Sequence, residues 1–123
     1  PAALAAFDRA LATLAHAPTH SRLLLTYKGR GLTMLELQRV DEAVRDLERA
    51  LEIVARAGGS PLDGAEIRFA LARALARSDP HRARTLARAA HESFVALGED
   101  ERALATKVWL ELPHQQREDN DNG

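Results

Sequence analysis

Apolar residues recur at three- and four-residue intervals along most of this chain, the spacing that lines one face of an α-helix. Leu4, Phe7, Leu11 and Leu14 trace such a face over residues 2–16, and Pro18 follows its end. Thr19 and Ser21 are N-cap candidates for a second helix over 20–38, whose stripe would hold Leu24, Tyr27, Gly31, Met34 and Leu35. A third helix over 40–57 turns Val40, Ala43, Val44, Leu47, Ala50, Leu51 and Val54 inward. Asp41 and Glu42 in its first turn complement the helix dipole, and the pairs Asp41–Arg45 and Glu52–Arg56 are spaced to meet on its outer face.

Gly58-Gly59 stops the third helix, and Ser60-Pro61 then supplies a cap and a proline at the first helical position. The fourth helix, over 62–77, buries Ile67, Leu71, Ala72 and Leu75. Ser78-Asp79-Pro80 repeats the cap-plus-proline device and opens a fifth helix over 80–97, with Ala83, Leu86, Ala87, Ala90 and Phe94 inward and Gly98 as its stop. A sixth helix over 100–112 carries Leu104, Val108, Trp109 and Leu112, and Pro113 ends it because the residue before a proline avoids helical backbone. No apolar residue occurs from Gln115 to Gly123, so 113–123 is expected to be a disordered polar tail.

Three segments also align at a constant offset of forty residues. Ala3, Phe7, Ala10 and Leu11 match Ala43, Leu47, Ala50 and Leu51, and match again at Ala83, Ala87, Ala90 and His91. A fixed period in this range marks stacked supersecondary units that bury their apolar faces against neighbours. Within the units, the second and third helices resemble one tetratricopeptide repeat. Tyr27, Gly31 and Met34 stand at the aromatic, small and large positions of its helix A, and Ala43, Leu47 and Ala50 at the small, bulky and small positions of its helix B. The fourth and fifth helices look like a second repeat through Ala72, Leu75, Ala83, Ala87 and Ala90, with Arg68 where the aromatic would stand.

The resemblance implies an all-α, right-handed solenoid of about six antiparallel helices. Residues 1–17 would be helix B of a truncated first repeat, 20–57 and 61–97 two repeats, and 99–112 a closing helix. A narrower likeness links the stretch from Ala65 to Leu112 to the C-terminal repeat regions of bacterial, myxobacterial-type serine/threonine protein kinases. No kinase motif lies in the chain itself, so a catalytic domain would have to precede Pro1.

Composition narrows the function classes. Of the 123 residues 46% are hydrophobic but only 4% aromatic, so alanine and leucine carry the core, and sparse β-branched residues argue against a sheet. A net charge of −1 gives no global pull toward nucleic acid or anionic membrane. The absence of cysteine excludes disulfides and thiolate zinc sites. No apolar run reaches the ~20 residues of a bilayer span, and the start has no signal-peptide pattern. The chain opens in mid-pattern without an initiator methionine, which reads as a piece of a longer protein, with the cytoplasm as default compartment.

Candidate chemistry is thin. His16 and His20 are four apart, but Pro18 between them argues against one metal-binding helix face. His91-Glu92 lacks the second histidine of a metalloprotease helix, and Lys28-Gly29 opens no phosphate loop. No catalytic residue, metal or cofactor is expected. Charge is more informative: residues 68–91 hold Arg68, Arg73, Arg77, Arg82, Arg84 and Arg88 against Asp79, while 36–52 is rich in acids.

The family resemblance implies a groove lined by helix A residues, here Lys28, Leu32, Leu35 and Glu36 with Phe69, Arg73 and Arg77. Such a basic and apolar lining suits a protein or peptide ligand of acidic character. The expected role is a non-catalytic interaction scaffold. The alternatives are the docking region of a kinase, or a self-association module that dimerises through Leu4, Phe7, Leu11 and Leu14 on a first helix lacking its partner.

Overall fold

The structure, a computed structural model, describes residues 2–14 and 20–112, apart from the side chains of Thr13 and Leu14. These residues form six helices: α1 (Ala2–Leu14), α2 (His20–Glu36), α3 (Val40–Ala57), α4 (Pro61–Leu75), α5 (Pro80–Ala96) and α6 (Asp100–Glu111). No strand occurs among the described residues. Every helix read from the pattern is present. The end of the first helix, the cap at Thr19 and the tail over 113–123 lie outside the described residues. The chain divides into two units, Pro1–Ser60 and Pro61–Gly123, each holding three helices.

In the first unit α2 and α3 form a hairpin and α1 packs on α2. The hairpin closes because a glycine faces a leucine. A β-carbon at Gly31 would stand 2.7 Å from Leu47 Cγ, so the two backbones approach more closely than side chains on both would allow. Ala43, Leu47 and Ala50 are completely buried, and Leu24 and Met34 nearly so. Gly29 repeats the device toward α1, where the Phe7 ring lies 2.6 Å from the place of its missing β-carbon.

The structure departs from two expectations. Leu4 is buried and Phe7 packs on Gly29, so α1 does not lack a helical partner: α2 covers these members of the anticipated self-association face. Leu11 is half-buried, and the side chain of Leu14 lies outside the described residues. Val40 was expected inward but is 40% exposed, because it is the first residue of α3 and precedes the arc that meets α2.

In the second unit α4 and α5 form the hairpin and α6 packs on α5. Asp79 caps α5 by accepting from the backbone N–H of Arg82, and Pro80 occupies the first helical position. Ala83, Ala87 and Ala90 are completely buried, as are Ile67 and Leu71 from α4. Ala65, Ala90, Phe94 and Ala103 form a core cluster to which all three helices contribute, with Leu62 and Phe69 packed against it.

The turns between α2 and α3 and between α5 and α6 share one geometry. Gln38 and Gly98 both adopt positive φ, at 61° and 70°. In each turn the residue after it donates to a carbonyl five back: Arg39 N–H to Met34 O and Glu99 N–H to Phe94 O. Glycine takes this conformation freely, whereas glutamine is strained in it.

On α6 the inward arc is Ala103 and Thr106 rather than the large apolar residues. Leu104 and Val108 face solvent, and Trp109 and Leu112 are half-buried. The cause is polar. The Thr106 hydroxyl, completely buried, lies 2.9 Å from His91 Nδ1, which is also 3.0 Å from the Ala103 carbonyl. Thr106 donates to a carbonyl of its own preceding turn, so the imidazole N–H is the donor that joins α5 to α6. At the far end Arg84 Nη1 donates to the Leu110 carbonyl at 3.2 Å.

Candidate functional site

Phe69 and Arg73 lie four residues apart and so share one face of α4, which ends at Leu75; Arg77, expected on the same helix, lies in the turn that follows. Phe69 is half-buried and its ring meets Trp109 of α6 edge-on, with centroids 6.1 Å apart and planes at 90°. One turn toward the start of α4, Glu66 reaches Arg102 of α6 at 3.4 Å. These two side-chain contacts tie α4 to α6 while both helices rest on α5. The result is a surface in the second unit with an aromatic pair at its centre. Arg73, one turn beyond Phe69, is exposed and makes no ion pair among the described residues. Arg77, in the turn after α4, is exposed and already has a partner.

Lys28, Leu32, Leu35 and Glu36 share one face of α2 in the first unit. Glu36 is exposed and the other three are half-buried, with Lys28 already engaged. The structure therefore places Phe69 and Arg73 together on α4, sets Phe69 against Trp109, leaves Arg77 in the turn beyond, and separately aligns the four on α2.

The first unit holds a cleft of about 480 Å3 between α1, α2 and α3, lined by Leu4, Asp8, Met34, Arg45 and Asp46 among others. At its centre Arg30 donates from Nε and Nη2 to the two carboxylate oxygens of Asp46, at 2.8 and 2.7 Å. Its Nη1 donates to Asp8 at 2.7 Å. Asp46 is almost buried, its side chain 7% exposed, whereas Asp8 is 61% exposed. The hydrogen bonds to Asp46 raise the guanidinium pKa above its ordinary value. Partial burial opposes this rise and the Asp8 bond adds to it. Arg30 and Arg49 also flank the Tyr27 ring, each 5.8 Å from its centroid. All three guanidinium nitrogens donate to these two carboxylates, so Arg30 is a structural clamp across three helices.

His91, the start of the incomplete metalloprotease pattern, is committed to Thr106 and the Ala103 carbonyl. His20 is exposed at the start of α2, and His16 lies outside the described residues. Among the described residues no group of three or more histidines or acids is placed to share a metal. No helix there is long and apolar enough to cross a membrane.

The sequence pattern gives Arg30 and Asp46 no role, and it places Trp109 on the sixth helix without a partner. Asp46 carried a usable signal: it follows Ala43 by three residues and precedes Ala50 by four, on the arc that packs inward. A carboxylate there requires a cationic partner. Trp109 carried none that pointed to Phe69, forty residues earlier. Comparison with protein families, curated proteins and solved structures finds no match to this chain.

Proposed function

We propose that this chain is a non-catalytic protein-interaction module built from tetratricopeptide-like helical hairpins, and that it holds an acidic, extended peptide against the α4–α6 surface. The observation that carries the reading is the Phe69–Trp109 pair with the uncommitted Arg73 one turn away. Half-buried aromatics offer apolar contact at little entropic cost, and an exposed guanidinium can take a carboxylate in a bidentate grip. The small residues at Gly31, Ala43, Ala50, Ala72, Ala83, Ala87 and Ala90 support the hairpin reading, since all are buried.

The test is fluorescence anisotropy with a labelled peptide of alternating glutamate and leucine. The double variant Arg73→Glu, Arg77→Glu should weaken binding by about tenfold or more at low salt, and less at high salt, because exposed charges are screened. Trp109→Ala should weaken it at both salt concentrations. An affinity unchanged by the charge reversals would remove this surface as the site.

A further inference from the structure

We propose that the solvent face of α6 is a second docking surface, and that its partner is a basic amphipathic helix of another protein. Leu104 is 61% exposed and Val108 50%, and they stand one turn apart on the same face. Leu97, in the turn that leads into α6, is exposed as well. A lone exposed leucine is ordinary, but two aligned apolar residues on one helix face, both at least half open, form a strip that association would cover.

The charges around this strip identify what covers it. Asp100 and Glu101 lie one turn before Leu104, and Glu111 lies almost one turn after Val108. All three are exposed and none forms an ion pair among the described residues. Their neighbour Glu99 is by contrast held by Arg102 at 2.9 Å. Lys107 is the sole cation on the same face, so the strip is framed by an excess of uncommitted carboxylate.

A second copy of the chain fits poorly. Antiparallel pairing of two α6 helices centred on Thr106 sets Leu104 against Val108 but also Glu101 against Glu111. Parallel pairing sets each acid against itself. Both place like charges at the contact, and the antiparallel register that sets Glu101 against Lys107 turns Val108 onto Asp100, so self-association is disfavoured. A helix with two apolar anchors four residues apart, flanked by lysine or arginine, satisfies the strip and its frame together. This surface uses none of Phe69, Arg73 and Trp109, so it stands apart from the α4–α6 site.

The experiment titrates the full chain into a fluorescein-labelled synthetic helix. The helix bears two leucines four residues apart and lysines three residues to either side on the same face. A control helix carries glutamate in place of those lysines. The lysine helix should bind in the micromolar range and the glutamate helix should not. Leu104→Asp should weaken binding by about tenfold or more. The double variant Glu101→Lys, Glu111→Lys should reverse the preference toward the glutamate helix, a result that loss of folding cannot produce. Arg73→Glu should leave binding of the lysine helix unchanged. Equal binding of both helices, indifference to Leu104→Asp, or no binding would overturn the proposal. So would sedimentation showing a dimer that Leu104→Asp dissociates, since a second copy would then be the occupant.

Discussion

Two glycines and one aspartate set the tolerances of the first unit. Gly31 admits Leu47, a completely buried side chain whose branch carbon would lie 2.7 Å from an added β-carbon, well inside van der Waals contact. Gly29 faces only the outer edge of the Phe7 ring, the far end of a side chain that is only half-buried. Both positions would gain about 1 kcal/mol of helix propensity from alanine. Gly31→Ala should nevertheless destabilise by about 1–3 kcal/mol, and Gly29→Ala by less, as urea unfolding would show. Asp46 is the other sensitive point. Arg30→Met leaves its carboxylate buried and unpaired, and should cost about 3 kcal/mol. Asp8→Ala removes only an exposed partner, and should cost less than about 1 kcal/mol. Because the guanidinium pKa lies above its ordinary value, Arg30's share of the stability is fully present below that ordinary value. It is lost only as pH climbs through the raised one, well beyond the physiological range.

At the scale of the element, turns and helix faces obey different rules. The turn after α5 places glycine at its left-handed position and the turn after α2 places Gln38 there. Gln38→Gly should therefore raise stability by up to about 1 kcal/mol, seen as a higher denaturation midpoint at constant slope. Gly98 announces its turn in the sequence, while Gln38 hides an identical one. Helix faces are harder still. For α3 the apolar spacing names the buried arc well, since Ala43, Leu47 and Ala50 are all fully covered. For α6 it does not. Leu104 and Val108 are the most apolar candidates, yet Thr106 faces inward because His91 on α5 supplies a donor for it. That bond leaves no buried hydroxyl unpaired, which is what lets a threonine stand on the inward arc.

Across the whole molecule the two proposed surfaces carry opposite chemistry within one unit. The α4–α6 surface presents Arg73 beside aromatic rings, and the outer face of α6 presents carboxylates around aliphatic side chains. They should respond independently. Arg73→Glu with Arg77→Glu should affect the acidic peptide alone, and Glu101→Lys with Glu111→Lys the basic helix alone. A binding assay in which each variant is measured against both probes checks this, and cross-sensitivity would show one shared site. A net charge of −1 conceals this division, because opposite patches cancel in the sum.

Helix number, helix order and most of the breaks were determined by the sequence itself, the turn at Gln38 being the one without a glycine or proline to mark it. Proline, glycine and capping residues act within a few positions of where they stand, and apolar spacing is a local property of the chain. The small residues of the hairpins were legible for the same reason. Only the tertiary structure decided that Phe7 fills a notch at Gly29, that Arg30 clamps Asp8 and Asp46 across 22 and 16 residues of chain, and that Trp109 meets Phe69. It also decided which arc of α6 is wet. These outcomes depend on what another helix offers at the point of contact, and the periodicity of a single helix carries no record of its neighbour.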